Sequence, residues 1–331
     1  MTAPDPFALP IGDAEMERLE DLLRSVVVRG DPFLDEISTH LIAAGGKRLR
    51  PALTIAAASL SGIEVSNETL LGGVSVELVH LASLYHDDVM DEATRRRNVV
   101  SVNARWGNLL AVVAGDLLLA RSAEIAASLG VEVARLLATT LARLCHGQVA
   151  EVRAAYRIDR AEEDYLAGIG NKTASLMATA CRIGGLTANL ERPDVDALTH
   201  FGECFGMVFQ IRDDVLDIVA TEDELGKLPG QDLAEGIYTL PVQRALRDRH
   251  LGPELRGLLG HALGREEVEV ARALVASSTG IAQATDVARR YALEAVEATE
   301  SLGGGILPRS LAALSMGLVD DLERCARPLA S

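Results

Sequence analysis

The stretch ELVHLASLYHDDVMD (residues 77–91) joins an apolar helical repeat to a cluster of three aspartates. A second stretch, GMVFQIRDDVLDI (residues 206–218), repeats the design with aspartates at 213, 214 and 217. The outer aspartates of each cluster are four residues apart, which places them on one helix face. Like charges at this spacing repel each other, and the last turn of a helix is already electronegative. Both clusters therefore indicate a positively charged partner.

Hard divalent cations prefer carboxylate oxygens, so the clusters predict metal sites. Each cluster also lies above an apolar helical stripe, as in the series His80, Leu84, Asp87 and Asp91. Two independent helices with the same design favour a functional site over a solvated helix end. The candidate metal ligands are Asp87, Asp88, Asp91, Asp213, Asp214 and Asp217.

The composition favours helices and excludes several classes of protein. Of the 331 residues, 48% are hydrophobic but only 3% are aromatic, which is typical of closely packed helices rather than a β-sandwich. The formal net charge of −16 would repel nucleic acid and anionic lipid, so neither is an expected partner. No apolar run reaches about 18 residues, so no membrane span is predicted. The four cysteines stand singly and the N-terminus lacks signal-peptide features, which predicts a cytoplasmic protein with reduced, mostly buried thiols.

The periodicity is helical almost throughout, and no alternation is long enough to support a sheet. Ser66 is a candidate N-cap for the long helix that ends in the first aspartate cluster. Further helices are predicted over roughly 103–129, 131–155 and 161–190. Residues 226–241 carry five glycine or proline breakers and predict a loop, and shorter helices follow from residue 242.

Basic residues accompany both acidic clusters. GGKRLRP (residues 45–51) places Lys47, Arg48 and Arg50 at a helix start, and RRR (residues 95–97) follows the first cluster. Taken singly, such residues are most often surface charges. Beside acidic clusters, however, they indicate a bound diphosphate, because magnesium and flanking arginines and lysines together hold phosphate oxygens.

The sequence resembles the trans-isoprenyl diphosphate synthases, also called polyprenyl synthetases. Six motifs carry the resemblance and occur in the family's order between about residues 43 and 242: GGKRLRP, ELVHLASLYHDDVMDEATRRRN, WGNLLAVVAGDLLLA, NKTASL, GMVFQIRDDVLDI and GKLPGQDLAEGIYTLP. The resemblance implies one isoprenoid synthase domain over residues 1–331, an all-α multi-helix bundle around a deep central cavity. It also implies a homodimer.

The resemblance also assigns roles to particular residues. Asp87 and Asp91 would help to bind magnesium from one wall of the cavity, and Asp213, with Asp214 and Asp217 close by, would do so from the facing wall. Three Mg²⁺ ions per active site would hold the allylic diphosphate. The remaining assignments are Arg96 and Lys227 for the allylic diphosphate, Lys47, Arg50, His80 and Arg97 for isopentenyl diphosphate, and Lys172, Thr173 and Gln210 beside the developing cation.

The implied reaction is the head-to-tail (1'-4) condensation of isopentenyl diphosphate with an allylic diphosphate, giving an all-trans polyprenyl diphosphate. Ala82 and Ser83 occupy positions where short-chain members of the family carry an aromatic ring. Small side chains there leave room along the helix, which spans roughly 30 Å from Asp87 back to Ser66 and predicts a medium or long product of about 30–50 carbons.

Two positions depart from the family pattern, and several alternatives remain open. Asn98 replaces the usual glycine after the paired arginines, and Ile237 replaces a common lysine. Asparagine tolerates the left-handed conformation, so the turn at Asn98 is expected to survive. The alternatives are a geranylgeranyl-length synthase, a class I terpene cyclase, a non-autonomous subunit of a heteromeric synthase, and a binding module that stores magnesium or diphosphate.

Overall fold

The computed structural model describes residues 7, 9–222 and 228–326, and these are helical over most of their length. This confirms the all-α prediction. In chain order the helices are α1 (Asp13–Val27), α2 (Pro32–Ala43), α3 (Leu49–Ala58), α4 (Asn67–Met90), α5 (Val102–Trp106), α6 (Asn108–Ser128), α7 (Val131–Ala154), α8 (Glu162–Ile169), α9 (Ser175–Thr187), α10 (Arg192–Val219), α11 (Gln231–Ala234), α12 (Leu240–Ala245), α13 (Gly252–Leu258), α14 (Arg265–Ser277), α15 (Gly280–Glu300) and α16 (Ile306–Cys325).

Several helix boundaries follow from local chemistry that the sequence displays. Ser66 caps α4, since its hydroxyl accepts a hydrogen bond from the Thr69 amide at 3.1 Å. The helix predicted over 103–129 is instead broken into α5 and α6 by Gly107, which adopts a φ of 91°. The segment predicted over 161–190 is interrupted by a single π-helical turn, Gly170–Ala174. After residue 242 the helices are shorter, as predicted, and the longest of them, α15 and α16, have 21 and 20 residues.

A short β-hairpin follows α4, although the sequence predicted no sheet. Strands β1 (Arg95–Arg96) and β2 (Val99–Val100) pair antiparallel, and two residues each are too few to show alternation. Arg97 and Asn98 form the turn with φ values of 49° and 63°. Two consecutive left-handed residues are characteristic of the type I′ turn that joins tight hairpins. Asn98 therefore adopts the conformation expected where the family has glycine.

The chain divides into two compact units that each combine separate segments. The unit called here N-terminal comprises Leu9–Ala142 and Leu176–Gly202. The unit called C-terminal comprises Met1–Ala8, Arg143–Ser175 and Glu203–Ser331. The assignment of residues 1–331 to one domain, with a central cavity, stays a prediction.

In the N-terminal unit the long helix α4 packs against α1, α3, α5 and α6. Its core is aliphatic, with members such as Leu19, Leu78 and Leu81 fully buried. Full burial of a leucine contributes about 1.5–3 kcal/mol. Close packing depends on Gly72, where a Cβ atom would lie 2.5 Å from the Ile183 side chain of α9. This packing holds α4 rigidly up to the aspartate cluster at its C-terminal end.

In the C-terminal unit α15 packs against α12 and α16, and α10 contributes Ile211 and Val215 to the same core. No helix in the described part of the chain is long and apolar enough to cross a membrane. The cysteines are free thiols, of which Cys181 and Cys204 are buried while Cys145 and Cys325 are exposed. The expectation of mostly buried thiols therefore holds for two of the four.

Candidate active site

The first aspartate cluster forms the C-terminal end of α4, where the Asp91 amide donates to the Asp87 carbonyl at 2.8 Å. Burial alternates around this end of the helix as the predicted stripe requires. His80, Leu84 and Asp87 are partly exposed and Asp91 is exposed, whereas Asp88 is fully buried. The outer carboxylates are therefore accessible to a ligand, and the middle one is not.

Asp88 is held by the hairpin that follows α4. One of its oxygens, Oδ1, accepts from Nε of Arg96 at 2.7 Å and from Nη2 at 2.6 Å. Its other oxygen, Oδ2, is buried and accepts no hydrogen bond from the described residues. Burial raises the pKa of Asp88, while Arg96 opposes the rise and Asp91 adds to it. The accessible carboxylates of Asp87 and Asp91, one helical turn apart, are oxygen donors that fit a hard divalent cation.

A buried arginine organises the basic loop between α2 and α3. Arg48, with a φ of 47°, donates to Glu20 at 2.6 Å and to Glu77 at 3.0 Å. Burial raises the pKa of Glu77, and the nearby Arg48 guanidinium opposes that rise. Arg48 is only 4% exposed, so it is a structural cation rather than a surface charge. Its neighbours differ, because Lys47 is exposed and Arg50 is half-buried.

Arg97 and His80 lie beside this basic loop. The Arg97 guanidinium donates to the carbonyls of Leu41, at 3.3 Å, and Gly45. A Cβ atom at Gly46 would lie 2.8 Å from the same guanidinium, so only glycine admits it there. Burial lowers the pKa of His80 well below its ordinary value, and Arg50 and Arg97 lower it further. The structure thus brings Arg50 and Arg97 close to His80, three of the residues assigned by resemblance to isopentenyl diphosphate. The fourth, Lys47, is an exposed residue of the same loop as Arg50.

The second cluster belongs to the last turns of α10, and its three aspartates differ in environment. The Asp213 side chain is 47% exposed and lies 3.4 Å from the Arg212 guanidinium. Asp214 is buried and accepts from the hydroxyl of Tyr165 and from Nε2 of Gln210, the latter at 2.8 Å. Burial raises the pKa of Asp214 to about 7, and the Tyr165 and Gln210 hydrogen bonds oppose the rise. Asp217 accepts at 3.2 Å from the Asp232 amide of α11.

Lys172 and Thr173 lie in the π-helical turn rather than at the start of a regular helix. Nζ of Lys172 donates to Glu151 of α7. The Thr173 hydroxyl donates to Oε1 of Gln210 at 2.6 Å, which joins the turn to α10. Such turns are frequent at functional sites because they displace side chains from regular helical positions. The three predicted cation-facing residues are therefore adjacent in the C-terminal unit.

Three other sequence predictions have different outcomes. Lys227 lies outside the described residues, as does Gly226 of the predicted loop. Ser83 is partly exposed, and its hydroxyl donates to the His80 carbonyl at 2.8 Å. Ala82 is fully buried within the core of the N-terminal unit.

Sequence reasoning missed Tyr165, Glu151 and Glu77, which hold the predicted residues in place. Tyr165 precedes its partner Asp214 by 49 residues, and Glu77 follows Arg48 by 29, so local patterns carry no sign of either pair. The one available signal was an acidic residue, Glu77, at an otherwise apolar stretch of α4.

The chain is thus an all-α protein with two aspartate-rich helix ends and an arginine-rich loop. The sequence matches the polyprenyl synthetase family over residues 31–277. The chain belongs to this family, and it is accordingly a prenyltransferase with the all-α isoprenoid synthase fold.

Relatives of known function and structure agree with this assignment. The chain is 40% identical over 286 residues to the nonaprenyl diphosphate synthase of Mycobacterium tuberculosis, with 85% of each chain covered. It is 38% identical to heptaprenyl diphosphate synthase component 2 of Geobacillus stearothermophilus, with 83% of each covered. The crystal structure of geranylgeranyl pyrophosphate synthase from Corynebacterium glutamicum, complexed with calcium and isoprenyl diphosphate, superposes with a TM-score of 0.83 at 37% identity, covering 94% of this chain and 96% of that one.

Proposed function

We propose that this protein condenses isopentenyl diphosphate head-to-tail with an allylic diphosphate to make an all-trans polyprenyl diphosphate of medium or long chain. Membership of the polyprenyl synthetase family supports the reaction class. The observation that carries the proposal is the closeness of Arg50 and Arg97 to His80 on the helix that ends in DDVMD, with Lys47 in the same loop as Arg50. A metal-binding module would need the carboxylates, but it would not need this second cationic site.

We assign the magnesium ligands to the outer carboxylates, Asp87 and Asp91 of α4 and Asp213 and Asp217 of α10. The solved relative that contains calcium and isoprenyl diphosphate supports a divalent metal in this family. Bound magnesium would neutralise negative charge on the allylic diphosphate and so favour its departure. We also propose three magnesium ions per active site, the number that the sequence resemblance implies.

The remaining residues bind and shield the substrates. Arg96 presents a guanidinium beside the first cluster, where its planar fork suits phosphate oxygens. Lys47, Arg50 and Arg97 hold the second diphosphate by charge, and neutral His80 adds a hydrogen-bond donor. After the allylic C–O bond breaks and diphosphate leaves with the electron pair, the double bond of isopentenyl diphosphate attacks the allylic carbocation. The adduct then loses a proton to the released diphosphate. Thr173 and Gln210 direct oxygen dipoles at the developing positive charge and so stabilise it. This stabilisation is strongest where water is excluded.

The direct test supplies labelled isopentenyl diphosphate with each allylic primer and sizes the hydrolysed alcohols. We expect condensation that depends on both substrates and on magnesium. Asp87→Ala and Asp213→Ala should each lower turnover by orders of magnitude without changing the unfolding midpoint. Turnover of the allylic diphosphate alone would indicate a terpene cyclase, and wild-type turnover in either variant would refute the metal assignment. A purified chain inactive alone but active with a partner protein would indicate a heteromeric subunit.

Product length is tested at the residues that precede the first cluster. Ser83 is partly exposed on the face that also carries His80 and Asp87, so Ser83→Tyr should shorten the product. Ala82→Phe should also shorten the product, but because Ala82 is fully buried the larger ring should strain the core as well, by about 1–3 kcal/mol. Unchanged products from a folded Ser83→Tyr variant would count against this floor. The second candidate is a synthase with a shorter product, of geranylgeranyl length. Similarity to the geranylgeranyl pyrophosphate synthase from Corynebacterium glutamicum supports it.

A further inference from the structure

A continuous chain of four side chains runs through the C-terminal unit behind Thr173. The Tyr165 hydroxyl donates to Oδ2 of Asp214, and Nε2 of Gln210 donates to Oδ1 of the same carboxylate at 2.8 Å. Oε1 of Gln210 then accepts from the Thr173 hydroxyl at 2.6 Å. Tyr165 and Asp214 are 2% and 3% exposed, so water does not compete for this end of the chain.

The direction of every hydrogen bond in this chain follows from Asp214. Both Asp214 oxygens accept hydrogen bonds, one from the Tyr165 hydroxyl and one from Nε2 of Gln210, so the amide of Gln210 turns its NH₂ group toward Asp214. The amide oxygen consequently faces Thr173, and the threonine hydroxyl has to donate its only proton to it. The lone pairs of Thr173 Oγ1, rather than its proton, are then directed away from Gln210. An oxygen presented in this way stabilises positive charge.

We propose that Tyr165 and Asp214 are positioning residues for prenyl transfer, which orient Gln210 and Thr173 so that their oxygen dipoles meet the carbocation. This inference rests on the proposed function, and it gives Asp214, a candidate metal ligand from the sequence, a role in orientation instead. Both Asp214 oxygens already hold internal donors, whereas the Asp213 side chain is 47% exposed. Of the two neighbouring aspartates, Asp213 therefore binds the metal and Asp214 orients Gln210 and Thr173.

The π-helical turn explains why this orientation needs support from α10. A Cβ atom at Gly206 of α10 would lie 2.5 Å from Cα of Ala174, the residue after Thr173. On the other side of the turn, a Cβ atom at Gly147 would lie 2.8 Å from the amide nitrogen of Lys172. The backbone of the turn is thus fixed by close packing on both sides. What packing leaves free is the rotation of the Thr173 hydroxyl and the amide of Gln210, and the Asp214 carboxylate fixes both.

The test is a double-mutant cycle with steady-state kinetics. Tyr165→Phe removes one donor from Asp214 and should lower kcat about tenfold. Asp214→Asn places an amide opposite the Gln210 amide, allows the chain to reverse, and should lower kcat about 100-fold. The KM values for both substrates should change less than about threefold, because neither residue touches a diphosphate. The double variant should be no slower than Asp214→Asn alone, since Tyr165 acts only through Asp214.

Tyr238→Phe is the matched control. Tyr238 is 2% exposed, belongs to the same core, and its hydroxyl makes one hydrogen bond, accepting from the Gly260 amide at 2.7 Å. This variant should keep wild-type kcat. Thr173→Ser preserves the terminal hydroxyl and should retain most activity, whereas Thr173→Val should lose as much as Asp214→Asn. Unfolding midpoints of all variants separate loss of orientation from loss of fold.

Calorimetry with inorganic diphosphate and Mg²⁺ distinguishes positioning from metal ligation. The magnesium concentration at half-saturation should be the same for wild type, Tyr165→Phe and Asp214→Asn. A large shift in Asp214→Asn alone would make Asp214 a metal ligand and overturn the proposal, as would wild-type kcat in Tyr165→Phe or additive losses in the double variant. The proposed function fails separately, if wild type and Tyr238→Phe make no condensation product.

Discussion

Arg48 and Glu77 form a charged pair that is almost removed from water, each with a side chain only 2% exposed. Transfer of two such charges from water costs several kcal/mol per ion, which the pair offsets only if the partners stay together. Arg48 also donates to the Ile42 carbonyl at 3.0 Å, so the pair fixes the end of α2 as well as the start of α3. Lys47 and Arg50 therefore project from a loop whose backbone is held in place before any substrate arrives.

Replacement of Arg48 by methionine should lower the free energy of unfolding by about 3–5 kcal/mol, because Glu77 would remain buried without its partner. Urea titration measures the change. Arg157→Met is the control, since Arg157 pairs with Asp159 in an exposed position and its loss should leave the midpoint nearly unchanged. Glu77→Leu introduced into Arg48→Met should recover part of the loss. An Arg48→Met protein as stable as wild type would show that the pair is dispensable.

His80 gives the stability of the protein a dependence on pH. Its pKa in the folded state lies well below the unfolded value of about 6.5, so below that pH the unfolded chain binds a proton that the folded chain does not. The contribution is fully present above pH 6.5 and decreases as the pH falls, by up to about 1.4 kcal/mol per pH unit. The difference in stability between wild type and His80→Asn should therefore change between pH 7.5 and 5.5, with wild type losing more. Parallel stability curves would contradict the assignment.

The residues that sequence could predict were those with a local signature. The aspartate clusters, the Ser66 cap and the left-handed Asn98 each depend on neighbours within a few positions. Arg48 was predicted only as one of several basic residues at a helix start, because its burial depends on Glu20 and Glu77 from distant helices. The same reason hid Tyr165, whose partner is brought to it only by the packing of α8 and α10.

Among the helices, the interrupted segment between α8 and α9 differs most from its prediction. The sequence indicated helix over roughly 161–190, with a helix start at Lys172 and Thr173, but nothing in its periodicity indicated a π-helical turn there. The π-helical turn instead follows from tertiary contacts, since Arg143 of α7 donates to Asn171 at 3.1 Å and to Glu203 at 2.9 Å. A periodicity argument does not detect such a turn, because the turn keeps the chain helical and contains no proline. Its one glycine, Gly170, is not by itself a sign of a break.

Gly206→Ala should test how firmly this turn is held. The added Cβ atom would approach Cα of Ala174 to 2.5 Å, which should lower the free energy of unfolding by about 1–3 kcal/mol and also lower kcat. Gly317→Ala in α16 is the control, because a Cβ atom there meets nothing within 4 Å. That variant should be more stable than wild type by about 0.4–1 kcal/mol, through the lower entropy of its unfolded chain. Equal stability of the two variants would show that the turn adapts.

At the scale of the whole molecule, the homodimer that the sequence resemblance implies would need an exposed apolar face. Leu109, Val112 and Val113 share one face of α6 and are 78%, 40% and 47% exposed. A chain with a formal charge of −16 is not expected to leave such a face in water without a partner. We propose that a second copy of the chain covers it, in agreement with the homodimer implied by the sequence resemblance.

Leu109→Glu combined with Val113→Glu should convert the dimer to a monomer, as measured by sedimentation velocity. Val270→Glu combined with Leu293→Glu is the matched control, because these residues are also about half exposed, at 49% and 55%, but lie in the C-terminal unit. The control should remain dimeric. A monomeric wild-type protein, or a dimeric Leu109→Glu, Val113→Glu variant, would contradict the proposed interface.

The order in which segments enter the two units also has a consequence for biosynthesis. The N-terminal unit needs Leu176–Gly202, which the ribosome makes after Arg143–Ser175 of the other unit. At a rate of synthesis of about 5–20 residues per second, the ribosome needs several seconds to make that last segment. During this time the earlier apolar helices are already outside the ribosomal tunnel and lack the segment against which they pack. Neither unit can therefore be produced as one uninterrupted fragment, and general chaperones should matter more for its yield than for a protein whose domains emerge one after the other.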